Sequence, residues 1–218
     1  IINIKKEHEW GYSVPYYLAA INGCHPNYAG YLSGKQTLNV KSISTILRMI
    51  EPEQRSLFNK ELAEQKYREF QTREIDDSLA IAELQSKIED RNVLLLAPGP
   101  SLKEHIEDIK AKSKACVVIS ASFVPDFMDC DYTFLSNLKR YNTTFNPTKK
   151  KLHLIHTSNV RIDDENTLMV NYSSLINEDD IIMDNTSLMV LNLLCKINPH
   201  HVYIAGMDGY KVGENNFY

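Results

Sequence analysis

Cysteine is scarce and scattered in this chain of 218 residues: Cys24, Cys116, Cys130 and Cys195 are the four present. Their wide spacing fits neither a zinc site nor a disulfide frame, so reduced core residues are expected. No apolar run approaches the 18 residues of a membrane-crossing helix, and no membrane span is expected. The start lacks the basic-then-apolar layout of a secretory signal. The sequons at Asn142, Asn171 and Asn185 are therefore read as chance. Charge of one sign is lacking too. The 24 Lys and Arg face 28 Asp and Glu, and the net −4 gives no general attraction for nucleic acid or an anionic bilayer. No G-x-S-x-G elbow occurs, so a hydrolase triad is unsupported. Repeats and low-complexity tracts are also missing. The chain opens at Ile1 without Met, which is expected of a piece of something longer. With 43% hydrophobic and 24% charged residues, a cytoplasmic globular protein is the expectation.

What is present centres on NVLLLAPGPSL at residues 92–102. A short, unbroken apolar run, Val93, Leu94, Leu95 and Leu96, reads as a strand buried on both faces. Pro98, Gly99 and Pro100 then force a sharp turn. Ser101 followed by Glu104 reads as a capping box for a helix over 102–112. A strand, a Gly turn and a helix N-terminus aimed at one crevice can hold an anion on free backbone N–H groups.

Before residue 90 the pattern is helical after a short extended start at 1–4. Pro15 sits in the first turn of SVPYYLAAIN (13–22), the Gly23-Cys24-His25-Pro26 stretch breaks it, and 39–50 carries apolar residues at helical spacing. Pro52 opens a long helix to about residue 70. The last helix restarts at Ile75-Asp76-Asp77, with Leu79, Ile81, Leu84 and Ile88 facing inward and the two acids acting as caps. Tyr12, Tyr16, Tyr17, Tyr28 and Tyr31 crowd one stretch, so self-association through 1–90 and a homo-oligomer are expected.

From residue 92 the period changes. Strands are expected at 93–97, 116–120, 131–135, 152–156, 168–170 and 201–205, and helices at 102–112, 138–145 and 186–197. The chain therefore divides into a helical segment, 1–90, and a mostly parallel, three-layer α/β/α unit of Rossmann-like type, 91–218. Ligands in such sheets sit at the carboxyl ends of the strands. Small polar residues recur there: Ser101, Ser120 and Ser122, Ser136 and Asn137, Thr157 to Asn159, and Asp208.

Metal spacing is poor. His153 and His156 lie on a strand and point to opposite faces, and His200-His201 flank Pro199 in a turn. Asp184 or Asn185 is expected to cap the next helix. Lys139, Arg140, Lys149, Lys150 and Lys151 form a local basic cluster, read first as a solvated surface and second as a patch that can steer an anionic substrate.

Two resemblances follow from particular residues. His8-Glu9-Trp10-Gly11-Tyr12-Ser13-Val14-Pro15-Tyr16-Tyr17, with Asn22-Gly23-Cys24-His25-Pro26-Asn27-Tyr28, resembles the helical tail behind the barrel of 4-hydroxy-2-oxovalerate aldolase-like lyases. The chain holds neither the barrel strands nor that family's Asp and His-x-His metal ligands, so aldol cleavage is not expected of it, and no metal site is assigned.

The second half is similar to a Rossmann-like group containing MptE-type pterin pyrophosphokinases, motility accessory factors and bacterial CMP-sialic-acid sialyltransferases. The matching pieces are Gly99-Pro100-Ser101-Leu102, Ser120-Ala121-Ser122-Phe123, Phe134-Leu135-Ser136-Asn137, Asn185-Thr186-Ser187 and Val202-Tyr203-Ile204-Ala205-Gly206-Met207-Asp208-Gly209-Tyr210. The resemblance implies a nucleotide or nucleotide-sugar ligand, CMP-like or ATP with Mg²⁺, and glycosyl- or phosphoryl-transferase ancestry. Gly99, Ser101, Ser122, Asn137, Thr186, Ser187, Asp208 and Tyr210 are the implied binding residues. Pro98 and Ser122 depart from the pattern, and no catalytic residue is assigned. The other expectation, of a different class, is a non-catalytic oligomerisation and docking module for an aldolase-like lyase.

Overall fold

The computed structural model describes residues 2–3, 24–25, 52–59, 61–62, 74–136, 140–141, 153–160, 162, 166–178, 182 and 185–209. Six strands form one sheet: β3 (Asn92–Leu96), β4 (Val117–Ala121), β5 (Tyr132–Leu135), β6 (Leu154–Thr157), β7 (Thr167–Val170) and β8 (His201–Ala205). A separate two-residue pair joins β1 (Ile2–Asn3) to β2 (Cys24–His25). The helices are α1 (Ser78–Ile88), α2 (Ile106–Ser113) and α3 (Thr186–Ile197).

The sheet order is β7-β6-β5-β4-β3-β8, and every pairing is parallel. The chain therefore steps outward from β3 to β7 and then returns to the far side of β3. That reversal puts the topological switch between β3 and β8, where the carboxyl ends of both strands meet. Apolar runs with almost no polar interruption suit the inner strands: β3 and β4 are buried along nearly their whole length.

Each face has its own apolar filling. Val93, Leu95, Val117, Ile119, Phe134, Ile155 and Val170 pack against Leu84 and Ile88 of α1 and Met189, Val190, Leu193 and Ile197 of α3. On the opposite face, Leu94, Leu96 and Val118 meet Ile109 of α2, Leu102 and Phe123. Truncating such a fully buried leucine to alanine costs about 2–5 kcal/mol. Helix α1, which sequence pattern places with the N-terminal segment, thus completes the core of the sheet.

Several local expectations are corrected. The turn after β3 winds as a 3₁₀ helix over Pro100–Glu104, and α2 begins only at Ile106. Pro100 in the first turn and the i→i+3 bonds Leu102 N–H to Gly99 C=O and His105 N–H to Leu102 C=O favour the tighter winding. Leu79 is 86% exposed, whereas Leu84 and Ile88 are buried. Pro52 starts a 3₁₀ helix, Pro52–Leu57, that stops before the buried Phe58. Cys195 lies exposed on α3, unlike buried Cys116. Asp76 accepts from the Ser78 hydroxyl and the Ser78 N–H, and these bonds, the hydroxyl's first, hold its carboxyl below the usual value. Asp77 instead binds the Asn171 N–H beyond β7, at 2.7 Å. The helices expected at 13–22, 39–50 and 138–145 and the tyrosine-rich stretch lie outside the described residues, apart from 24–25 and 140–141. No helix among the described residues is long and apolar enough to cross a membrane.

Candidate functional site

The carboxyl edge of the sheet gathers two polar groups, one on either side of β4. The first closes the switch point. The Ala97 N–H donates to Ala205 C=O and the Gly99 N–H to Gly206 C=O, both at 2.8 Å. This zipper needs two glycines. A Cβ on Gly99 would lie 2.2 Å from the Gly206 oxygen, and one on Gly206 would lie 2.1 Å from the Ala97 oxygen. Gly206 also has φ +74°, a conformation that L side chains rarely adopt. Beyond the zipper, Asp208 accepts the Ser101 N–H at 2.8 Å and the Ser101 hydroxyl at 2.5 Å. The donors at the Gly-Pro-Ser turn are thus satisfied by the chain itself, the Gly99 N–H by Gly206 C=O and those of Ser101 by the Asp208 carboxylate.

The second group lies at β5, β6 and α3. The Ser136 and Thr186 hydroxyls meet at 2.9 Å. The Asn159 side chain donates to Ser136 C=O at 3.2 Å and accepts from the Thr157 hydroxyl. All of Thr157, Asn159 and Ser136 are buried. At the start of α3 the Asn185 side chain accepts from the N–H groups of Ser187 and Leu188. Asn185 is therefore the cap expected at this position, and it leaves the Thr186 N–H outside its reach.

Between these groups, at the end of β4, stands Ser122. Its φ is 64°. Its N–H donates to Phe134 C=O at 2.8 Å, while its hydroxyl is buried with no hydrogen-bond partner among the described residues. A left-handed serine costs about 1–2 kcal/mol and a buried orphan hydroxyl about 1–3 kcal/mol.

Six of the residues expected at the site are therefore on one edge of the sheet. Gly99, Ser101 and Asp208 form the β3/β8 group; Thr186 and Ser187 belong to the α3 group; Ser122 lies between. Strand spacing separates the two groups by about 10 Å, since β4 intervenes. The anion cradle and the Ser101–Glu104 capping box expected at the Gly-Pro-Ser turn are corrected, because Asp208 takes the Ser101 N–H and Gly206 C=O takes the Gly99 N–H, whereas Asn185 caps α3 as expected. Asn137 and Tyr210 lie outside the described residues. Asn159 is named in the sequence reading only among the small polar residues after a strand, and not among the binding residues, because that place is its only local signal.

His156 sits behind this edge on β6, buried. Its Nδ1 lies 3.3 Å from Thr157 C=O, which can only accept, so that nitrogen carries the proton and Nε2 accepts from Thr167 Oγ1 at 3.2 Å. Burial lowers its pKa from 6.5, against raising contributions from backbone bonds at Thr157 and Val160. Neutral imidazole is the stable form. Among the described residues, no group of three or more His, Cys, Asp or Glu could hold a metal ion.

Comparison of the chain with protein-family models, curated proteins and solved structures finds no match.

Proposed function

We propose that the α/β unit binds a nucleotide or nucleotide-sugar at the carboxyl edge of its sheet, as an accessory domain with glycosyl- or phosphoryl-transferase ancestry. The observation that carries this reading is Ser122: a left-handed, non-glycine residue with a buried, unpartnered hydroxyl. Such local cost concentrates where a ligand repays it.

The two polar groups differ in charge, and this orients the ligand. Asp208 puts a carboxylate on the Pro100–Glu104 turn, so a phosphate there would be repelled. Helix α3 is capped by a neutral amide, so its positive end is not cancelled by a charge. The phosphate accordingly belongs near Thr186, Ser136 and Ser122. Asp208, exposed and keeping lone pairs beyond those used by Ser101, faces the hydroxyl groups of the sugar.

A thermal-shift screen of CMP, CDP, GDP, UDP and ATP, each with and without Mg²⁺, tests the reading. A rise in Tm with at least one nucleotide, and none with the free base, supports it. No rise with any of them removes it.

A further inference from the structure

Strand β5 ends at Leu135, whose register partner on β6 is His156. Ser136 lies one residue past that last paired position, and its hydroxyl makes the 2.9 Å contact with Thr186. A side chain extends the ladder there: Asn159 Nδ2 donates to the Ser136 C=O at 3.2 Å. A carbonyl only accepts, so the amide must face it with its NH₂ group. Its Oδ1 is thereby turned to accept the Thr157 hydroxyl. The turn that carries Asn159 is itself fixed. The Val160 N–H closes it onto Thr157 C=O at 2.9 Å, and the Ser158 N–H ties it to Val170 C=O of β7 at 2.9 Å. Thr157, Asn159 and Ser136 are 0%, 2% and 7% exposed, so these bonds form away from competing water.

We propose that Asn159 is a positioning residue of the phosphate site at α3, acting on a nucleotide through Ser136 without touching it. The inference rests on the nucleotide reading above. The hydroxyl pair of Ser136 and Thr186 joins two elements, and each has its own anchor. Asn185 caps α3 and sets Thr186, whereas Asn159 holds the Ser136 carbonyl and so sets the backbone from which the Ser136 hydroxyl projects. Thr157 in turn orients the Asn159 amide. A hydroxyl held in this way loses less freedom when it takes a phosphate oxygen.

Calorimetry of the whole chain tests this in a double-mutant cycle, with the tightest binder among CMP, CDP, GDP, UDP and ATP. Asn159→Ala is expected to weaken that nucleotide about tenfold in the wild-type background, within the range of coupling in one hydrogen-bond network. In Ser136→Ala, where the positioned hydroxyl is already gone, the same change is expected to cost less than about twofold. Thr157→Val keeps the side-chain shape and removes the hydroxyl that orients the amide. It is expected to give the same pattern with a smaller loss, and it decides alone if Asn159→Ala does not fold. Equal losses in both backgrounds overturn the proposal, because Asn159 would then support the whole edge rather than Ser136. Wild-type affinity in both variants overturns it too. A wild-type chain that binds none of these nucleotides removes the nucleotide reading itself, and this inference with it.

Discussion

Asp208 binds Ser101 twice, through the backbone N–H and the hydroxyl, across 107 residues of sequence. The carboxylate does for the Pro100–Glu104 turn what an N-cap side chain does for a helix, from the far side of the switch point. Losing such a cap costs about 0.5–2 kcal/mol. Asp208→Ala is expected to lower the urea midpoint by a corresponding amount with an unchanged slope. An unaltered midpoint would show that the pair contributes nothing to the fold.

The zipper behind that pair makes a sharper prediction. Gly99→Ala drives a methyl into the Gly206 carbonyl, a backbone atom that cannot rotate away. Gly209 has open space around its Cα, so alanine there meets only the cost of φ +75°. Gly209→Ala is expected to cost about 1 kcal/mol, and Gly99→Ala clearly more. Chemical denaturation of both variants checks the order. Equal losses would mean that the two loops are not in backbone contact.

Acid should act through His156. Its folded-state pKa is lowered below 6.5, so between the two values the unfolded chain binds a proton that the folded chain refuses. Stability is full above about pH 6.5 and is lost progressively as the pH falls from there toward the lowered value. His156→Gln is expected to flatten that part of the pH–Tm curve. A curve of the same slope in the variant would place the acid sensitivity elsewhere.

Asn185 separates stability from binding. Its side chain serves the Ser187 and Leu188 N–H groups, so Asn185→Ala is expected to cost about 1 kcal/mol of stability. The same change frees both donors for a phosphate, so nucleotide affinity is expected to hold or rise. Calorimetry with the best nucleotide of the screen decides this. A weaker complex would make Asn185 part of the ligand's own contacts.

The parts of the fold legible in sequence are those carried by local pattern. Helix α3 and strand β8 occupy the residues expected, because an apolar helical period ends at Asn198-Pro199 and a short apolar run follows. Strands β3 to β7 fall within two residues of expectation for the same reason, whereas β2 (Cys24–His25) lies where a break between helices is expected. Leu79 was misplaced because it lies two residues before Ile81, on the far side of the helix that Ile81, Leu84 and Ile88 define by spacings of three and four. The Ser101 and Glu104 pair looked like a capping box, yet the cap comes from Asp208, which no local rule can reach. Ser122 was legible only as a polar residue after a strand. Its left-handed backbone and orphan hydroxyl arise from tertiary packing.

The most direct test of the account is calorimetry of nucleotide binding to wild type, Ser136→Ala and Thr186→Val. These two hydroxyls meet each other at 2.9 Å, where we propose that the phosphate sits, and neither variant adds bulk. Losing one hydrogen bond to a charged group costs about 1.5–3 kcal/mol, so each variant is expected to bind roughly ten- to a hundredfold more weakly. Wild-type affinity in both variants, with the fold intact, would contradict the phosphate's place at α3 and with it the account of this edge.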